Sequence, residues 1–197
     1  MFSAATDRVW YRAILAGDRG LFDRAAAQIA DVCFAQGVTQ IVADAFEYFN
    51  PMHDLCSCLA QNVSLQLQGS GAIELLACPI EQLDPPRAEP AYAYALDDEA
   101  MRRKLAAAAE YHELRSEIER RRLGMIENFA VERLFAVDTR RVWPRLAPEE
   151  PFYEKFGRAQ IARGTYAEVI TYADHVRPLA VGLTDPRFSG KAAITTG

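Results

Sequence analysis

The feature that most constrains this chain is an alternation of helical and extended patterns between residues 21 and 79. Residues 21–36 (LFDRAAAQIADVCFAQ) carry Leu21, Ala25, Ile29 and Val32 at helical spacing, and Gly37 supplies the stop. Val38–Ala43 is a short β-branched run closing on Asp44, which reads as a buried strand. Asn50-Pro51 then opens a helix, with Asn50 as N-cap and Pro51 at the first helical position. That helix is predicted to run to about Leu67, before Gly69-Ser70-Gly71, and Ala72–Pro79 (AIELLACP) is the next strand candidate.

The alternation continues through the rest of the chain. A long helix is predicted from near Asp97, with Asp97, Asp98 and Glu99 at its positive end and Arg120, Arg121 and Arg122 at its negative end; Gly124 closes it. Met101, Leu105, Ala108 and His112 share one face of it. Arg133–Val137 is a third strand, followed by a loop through Pro144, Pro148 and Pro151. Two helical segments, Phe152–Arg163 and Tyr166–Val176, are split by Gly164, and Pro178 is expected to end the second. Such an order predicts an α/β fold with a mostly parallel, Rossmann-like sheet flanked by helices. Residues 1–150 are expected to form the α/β domain, 151–183 a helical C-terminal arm, and 184–197 a tail.

Charge narrows the function classes. With 22 basic and 27 acidic residues the chain carries a net charge of −5, which argues against a duplex nucleic-acid binder. No apolar run approaches the roughly 20 residues that span a bilayer. The start, MFSAATDRVW, lacks the apolar stretch of a secretory leader. The expectation is a cytoplasmic protein acting on a small-molecule substrate, with no nucleic-acid or membrane partner. Its four cysteines include no CxxC pair. They are expected to stay reduced, with Cys33 and Cys78 buried among apolar neighbours.

The densest polar stretch runs from Asp44 to Asp54, between the end of a strand and the start of a helix. Open α/β sheets bind ligands in that crevice. Asp44, Glu47, Tyr48, Asn50 and His53 could converge there: Asp44 and Glu47 as catalytic carboxylates, Tyr48 and Asn50 as substrate contacts. A carboxylate beside an imidazole offers a metal site, with His53 and Asp44 as ligands, or a general acid–base pair. A plainer arrangement suits the same residues: Asp44 bonding amides of its own loop, Asn50 capping, and His53 and Asp54 in a solvated first turn. His53, Cys56 and Cys58 do not form one ligand set, because Cys58 lies about 140° around the helix from His53, against about 60° for Cys56. His112 reads as a core or interface histidine and His175 as a solvent or interface one. Arg102, Arg103 and Lys104 form a charge run on a solvated face, from which Arg103 could reach an anionic substrate. There is no GxGxxG, no Walker lysine loop, no GxSxG and no HExxH.

The order strand–Asp44–loop–Asn50-Pro51-Met52-His53–helix resembles the later half of the PIG-L/LmbE family of zinc-dependent N-deacetylases. Leu96–Tyr111 is similar to that family's later helix, and Gly124–Val137 (GMIENFAVERLFAV) to the segment leading into its last strand. The resemblance spans roughly Leu21 to Val137. It implies a zinc ion held by His53 and zinc-activated water hydrolysing an N-acylated sugar or small amine conjugate, with a carboxylate as base. The family's first strand ends in HPDDE, whereas here none of the three histidines precedes a proline. Asp44, Glu47 and His53 together just reach the count of about three protein ligands that a hydrolytic zinc site uses. The alternatives are a non-metal transferase or small-molecule-binding protein using the same crevice, with the Pro51 helix start holding an anion, or a noncatalytic assembly protein. A missing first strand would leave a sheet edge for a homo-oligomer or a partner subunit to cover.

Overall fold

The computed structural model describes residues 6–68, 71, 73–80, 89–110, 130–139 and 143–187. The chain divides into a larger unit, residues 1–85 with 136–197, and a smaller one, residues 86–135. In chain order the elements are α1 (Asp7–Ala16), α2 (Arg19–Ala35), β1 (Gln40–Asp44), α3 (Pro51–Leu67) and β2 (Glu74–Cys78); then β3 (Tyr92–Ala95), α4 (Asp98–Glu110) and β4 (Val131–Ala136); then α5 (Phe152–Ala162), a π-helical turn (Tyr172–Val176) and α6 (Arg177–Thr184). Among the described residues no helix is long and apolar enough to cross a membrane.

The order of elements from α2 to β2 folds as read, but β1 is not the buried strand expected: Gln40 and Val42 are exposed and the rest only partly buried. Asp18 caps α2 by accepting from the Leu21 amide. Asn50 caps α3 and Pro51 stands in its first turn, where a missing N–H costs nothing. β1 and β2 pair in parallel, with Gln40 opposite Glu74 and Asp44 opposite Cys78. In the smaller unit β3 and β4 pair antiparallel, Tyr92 opposite Leu134 and Ala95 opposite Val131. Lys104 on α4 reaches Glu132 on β4. The fold is thus mixed α/β, but the described strands form both a parallel and an antiparallel pair where a mostly parallel sheet was expected. The reason is β3: YAYA is four residues long and half alanine, a weak strand signal.

The larger unit is organised around α3, of whose seventeen residues eleven are buried. A helix enclosed to this degree must satisfy its polar side chains internally. Asn62, 2% exposed, donates to the Leu183 carbonyl at 2.6 Å and accepts from Gln66 at 2.7 Å. Gln61 donates to the Thr139 carbonyl at 2.7 Å. Leu55, Cys58 and Val63 of α3 share one core with Phe22 and Ala26 of α2, with Tyr172 and Val176, and with Leu179 and Leu183 of α6.

That core corrects several expectations. Residues 151–183 are not a separable arm, because Tyr153, Tyr172, Val176, Leu179 and Leu183 lie in the same cluster as α3. Pro178 does not end a helix but sits in the first turn of α6. The preceding helical stretch begins at Tyr172 rather than Tyr166, because Thr171 accepts from the Asp174 amide as an N-cap. Helix α1, which no sequence pattern singled out, contributes Ala13 and Ile14 to the core. It ends at Gly17, whose φ of 62° is left-handed. The predicted continuation of α4 through His112 to Gly124, and the tail beyond 187, lie outside the described residues.

Replacing Asn62 with Ala strips the Leu183 carbonyl of a buried donor and should cost about 1–3 kcal/mol. A fall in the urea midpoint at unchanged m-value is the expected readout. Gln61→Ala, with its carbonyl partner in a loop, should cost less.

Candidate functional site

The loop after β1 is shaped by a carboxylate that sequence reading treated as part of a solvated helix start. Asp54 is 1% exposed, and its Oδ1 accepts from the Glu47 amide at 2.9 Å and the Tyr48 amide at 3.1 Å. Folding the loop back onto the first turn of α3 forces Tyr48 to a φ of 59°. That left-handed conformation costs a non-glycine residue about 1–3 kcal/mol and persists only where the surroundings over-determine it. They do so here. The Tyr48 carbonyl accepts from the Phe152 amide at 2.9 Å, and its ring meets Phe46 edge-on at 5.0 Å and Tyr172 at 5.3 Å.

Asn50 works beside it. Its Oδ1 accepts from the Met52 amide at 2.9 Å, the His53 amide at 3.4 Å and the Tyr11 hydroxyl at 3.3 Å. Two amides at the start of α3 are therefore already engaged, which weakens the idea that this helix start cradles an anion.

Within this frame Asp44 meets His53. The Asp44 Oδ2 lies 2.6 Å from the His53 Nδ1, and the two side chains are 33% and 47% exposed. Asp44 thus serves the imidazole, and the loop-amide role foreseen for it belongs to Asp54. Glu47 does not join the pair: its Oε2 accepts from the Ile80 amide at 2.8 Å, tying the loop after β1 to the end of β2. Arg103 belongs to the smaller unit, where it pairs with Glu99 one turn earlier on α4 at 2.8 Å. Tyr48 and Asn50 are spent on packing and capping.

This arrangement does not fit a three-ligand zinc site. With Nδ1 turned to Asp44, His53 keeps one ring nitrogen for a ligand, and Glu47 is directed at Ile80. Among the described residues no group of three or more His, Cys, Asp or Glu side chains is gathered as a metal site. Cys56 follows His53 by one turn, and burial, then the Asp44 charge, push its thiol up to about 11. That is the wrong direction for a nucleophile at neutral pH. Cys58 points into the core at 1% exposure, as the angular argument required. Cys33 and Cys78 are half-buried rather than buried.

On the other side of Asn50 and Pro51 opens a groove of about 580 Å³. Phe49, Phe152, Tyr153 and Phe156 line it together with Tyr11 and Tyr166. Its walls come from α1, the loop before α3, α5 and the segment after α5; Tyr153 and Tyr166 had read as packing or dimer-contact residues rather than substrate stackers. No known protein family, curated protein or solved structure matches the chain.

Asp54→Ala should remove both loop tethers and destabilise the protein by about 3 kcal/mol, since hydrogen bonds to a buried charge are each worth roughly 1.5–3 kcal/mol; an unchanged urea midpoint would show that the loop holds itself. The raised Cys56 pKa also has a sign. Unfolding lowers it toward the ordinary thiol value near 9, so its contribution to stability is complete below pH 9 and is lost as pH rises toward 11. Between those limits wild type should lose more stability than Cys56→Ala, as followed by urea unfolding at stepped pH.

Proposed function

We propose that the protein is an acid–base enzyme acting on a small molecule, with Asp44 and His53 as its proton-transfer couple. The observation that carries this reading is the 2.6 Å contact between Asp44 Oδ2 and His53 Nδ1, at the end of a strand where α/β proteins bind ligands. With Nδ1–H donated to the carboxylate, the Nε2 lone pair is free to accept a proton. In an acyl transfer it would take that proton from the attacking water or hydroxyl as the new bond to the acyl carbon forms. It would then return the proton to the leaving oxygen or nitrogen as the old bond breaks. Asp44 orients the ring and offsets the positive charge it carries between those steps. Water as acceptor makes the protein a hydrolase, and another hydroxyl or amine makes it a transferase.

The resemblance to the PIG-L/LmbE deacetylases supports a metal-assisted version of the same reaction. One feature favours it, since a carboxylate on one ring nitrogen commonly orients a histidine whose other nitrogen binds metal. The remaining ligands have no counterpart among the described residues, so the metal-free version is the one we adopt. The finer fold reading belongs to the proposal too: the α2–β1–α3–β2 unit, with its parallel strand pair, supports a Rossmann-like arrangement.

The test uses p-nitrophenyl acetate, a generic acyl donor. Wild type should hydrolyse it above the rate of free imidazole, and His53→Gln and Asp44→Asn should each lower that rate by about 100-fold, with melting temperature unchanged. Equal rates in wild type and both variants would overturn the reading in favour of a binding or assembly role. Activity lost on chelation and restored by zinc would replace it with the metal-assisted version.

A further inference from the structure

The groove beside Asn50 carries a chemical signature of its own, separate from the proton-transfer couple. Its volume of about 580 Å³ falls in the range of small-ligand sites, about 300–1,000 Å³. Four rings run along it in sequence. Phe49 stacks on Phe152 at 4.4 Å with 9° between planes, Phe152 on Phe156 at 6.1 Å, and Phe156 meets Tyr166 at 6.3 Å. Phe152, Phe156 and Tyr166 are 47%, 44% and 48% exposed. Isolated apolar side chains are ordinary on a surface, but a contiguous ladder of half-open rings in one concavity marks a binding site.

Charge then selects the ligand. Among the described residues lining the groove Glu168 is the charged one, and no Lys, Arg or His accompanies it. Glu168 takes part in none of the described hydrogen bonds or ion pairs. Tyr11 also lines the groove, its phenol raised by burial against the lowering effect of its hydrogen bond to Asn50. Exposed aromatic faces attract cations through their negative quadrupole, at about 0.5–2 kcal/mol each according to desolvation. An anion would meet repulsion from Glu168 and, among the described residues of the walls, find no cationic partner.

We propose that this groove binds a small organic cation, an amine carrying an aromatic or other apolar body, with the body against the Phe49–Phe152–Phe156–Tyr166 ladder and the ammonium near Glu168. The inference goes beyond the acid–base reading and stands on different residues, so either can fail alone.

Three probes share one phenyl body and differ in charge: phenethylamine, 2-phenylethanol and phenylacetate. Calorimetric titration of the full chain at pH 7 should rank them in that order, with the amine at least about 5-fold tighter than the alcohol and no detectable binding of phenylacetate. Glu168→Gln should reduce the gap between amine and alcohol to under about 2-fold while leaving the alcohol unchanged, as loss of one exposed charge partner requires. Phe156→Ala, at a position 44% exposed, should weaken both. His53→Gln should leave the ranking intact, which separates this site from the proton-transfer couple. Equal affinity for all three probes would identify the groove as a plain apolar docking surface and overturn the proposal. So would no binding of any probe, or an amine preference that survives Glu168→Gln.

Discussion

The path of the chain between β1 and α3 depends on where the negative charge of Asp54 can go. A carboxylate that is 1% exposed must be met by donors, because an unpaired buried charge costs several kcal/mol. At its Oδ1 these include the amides of Glu47 and Tyr48. Reaching them fixes the loop against the helix that follows it and holds Tyr48 at its positive φ. Once the loop is fixed, its other features follow: the Tyr48 carbonyl receives α5 through the Phe152 amide, Asn50 closes the first turn of α3, and Asp44 at the strand end is brought onto the His53 ring. The strain at Tyr48 is offset by packing among Phe46, Trp143 and Tyr172, whose rings lie 4.6–6.4 Å apart in the pairs that Phe46 makes with the other two.

The same helix governs the rest of the larger unit. Because α3 is enclosed by α2, β1, the π-helical turn and α6, its polar residues became ties between distant segments. Asn62 reaches the last turn of α6, 121 residues away in sequence, and Gln61 reaches Thr139. The C-terminal helices therefore complete the core. Trp143 repeats the device from the loop side, donating its indole N–H to the Thr184 hydroxyl at 2.7 Å.

What could be read from the sequence was local. Asn50-Pro51 marked a helix start because capping and the missing proline N–H act within one turn, and α3 spans the predicted residues. Val38–Ala43 marked β1 because a β-branched run needs no distant partner to be recognised. Asp44 and His53 were named together, and they meet. The rest escaped because it depends on contacts across the chain. Asp54 read as part of a solvated first turn, while its partners at Glu47 and Tyr48 are set by a loop conformation that residue types do not encode. Glu47 looked equivalent to Asp44, but its longer side chain reaches Ile80 beyond β2. The C-terminal segment looked like an arm because its periodicity shows an apolar face without showing what covers it. The aromatic groove is assembled from four segments spread between Tyr11 and Ile170, so the tyrosines of its wall, Tyr153 and Tyr166, read as packing residues when taken singly.

The energetics of the Asp44–His53 pair bear on why it exists. Half-exposed ion pairs contribute at most about 1 kcal/mol, reduced further by salt. Against that small return the protein holds a strained tyrosine, buries the Asp54 carboxylate and commits Asn50 to the turn that carries His53. A stability role would not call for such support, since an apolar contact in the same place would serve as well. A proton-transfer role would, because catalytic groups lose efficiency when displaced by more than about 0.5 Å. Asn50 touches both candidate regions: its Oδ1 receives the His53 amide on one side and the Tyr11 hydroxyl of the groove wall on the other. The capping turn of α3 is therefore held from two directions, by its own amides and by a hydroxyl from α1.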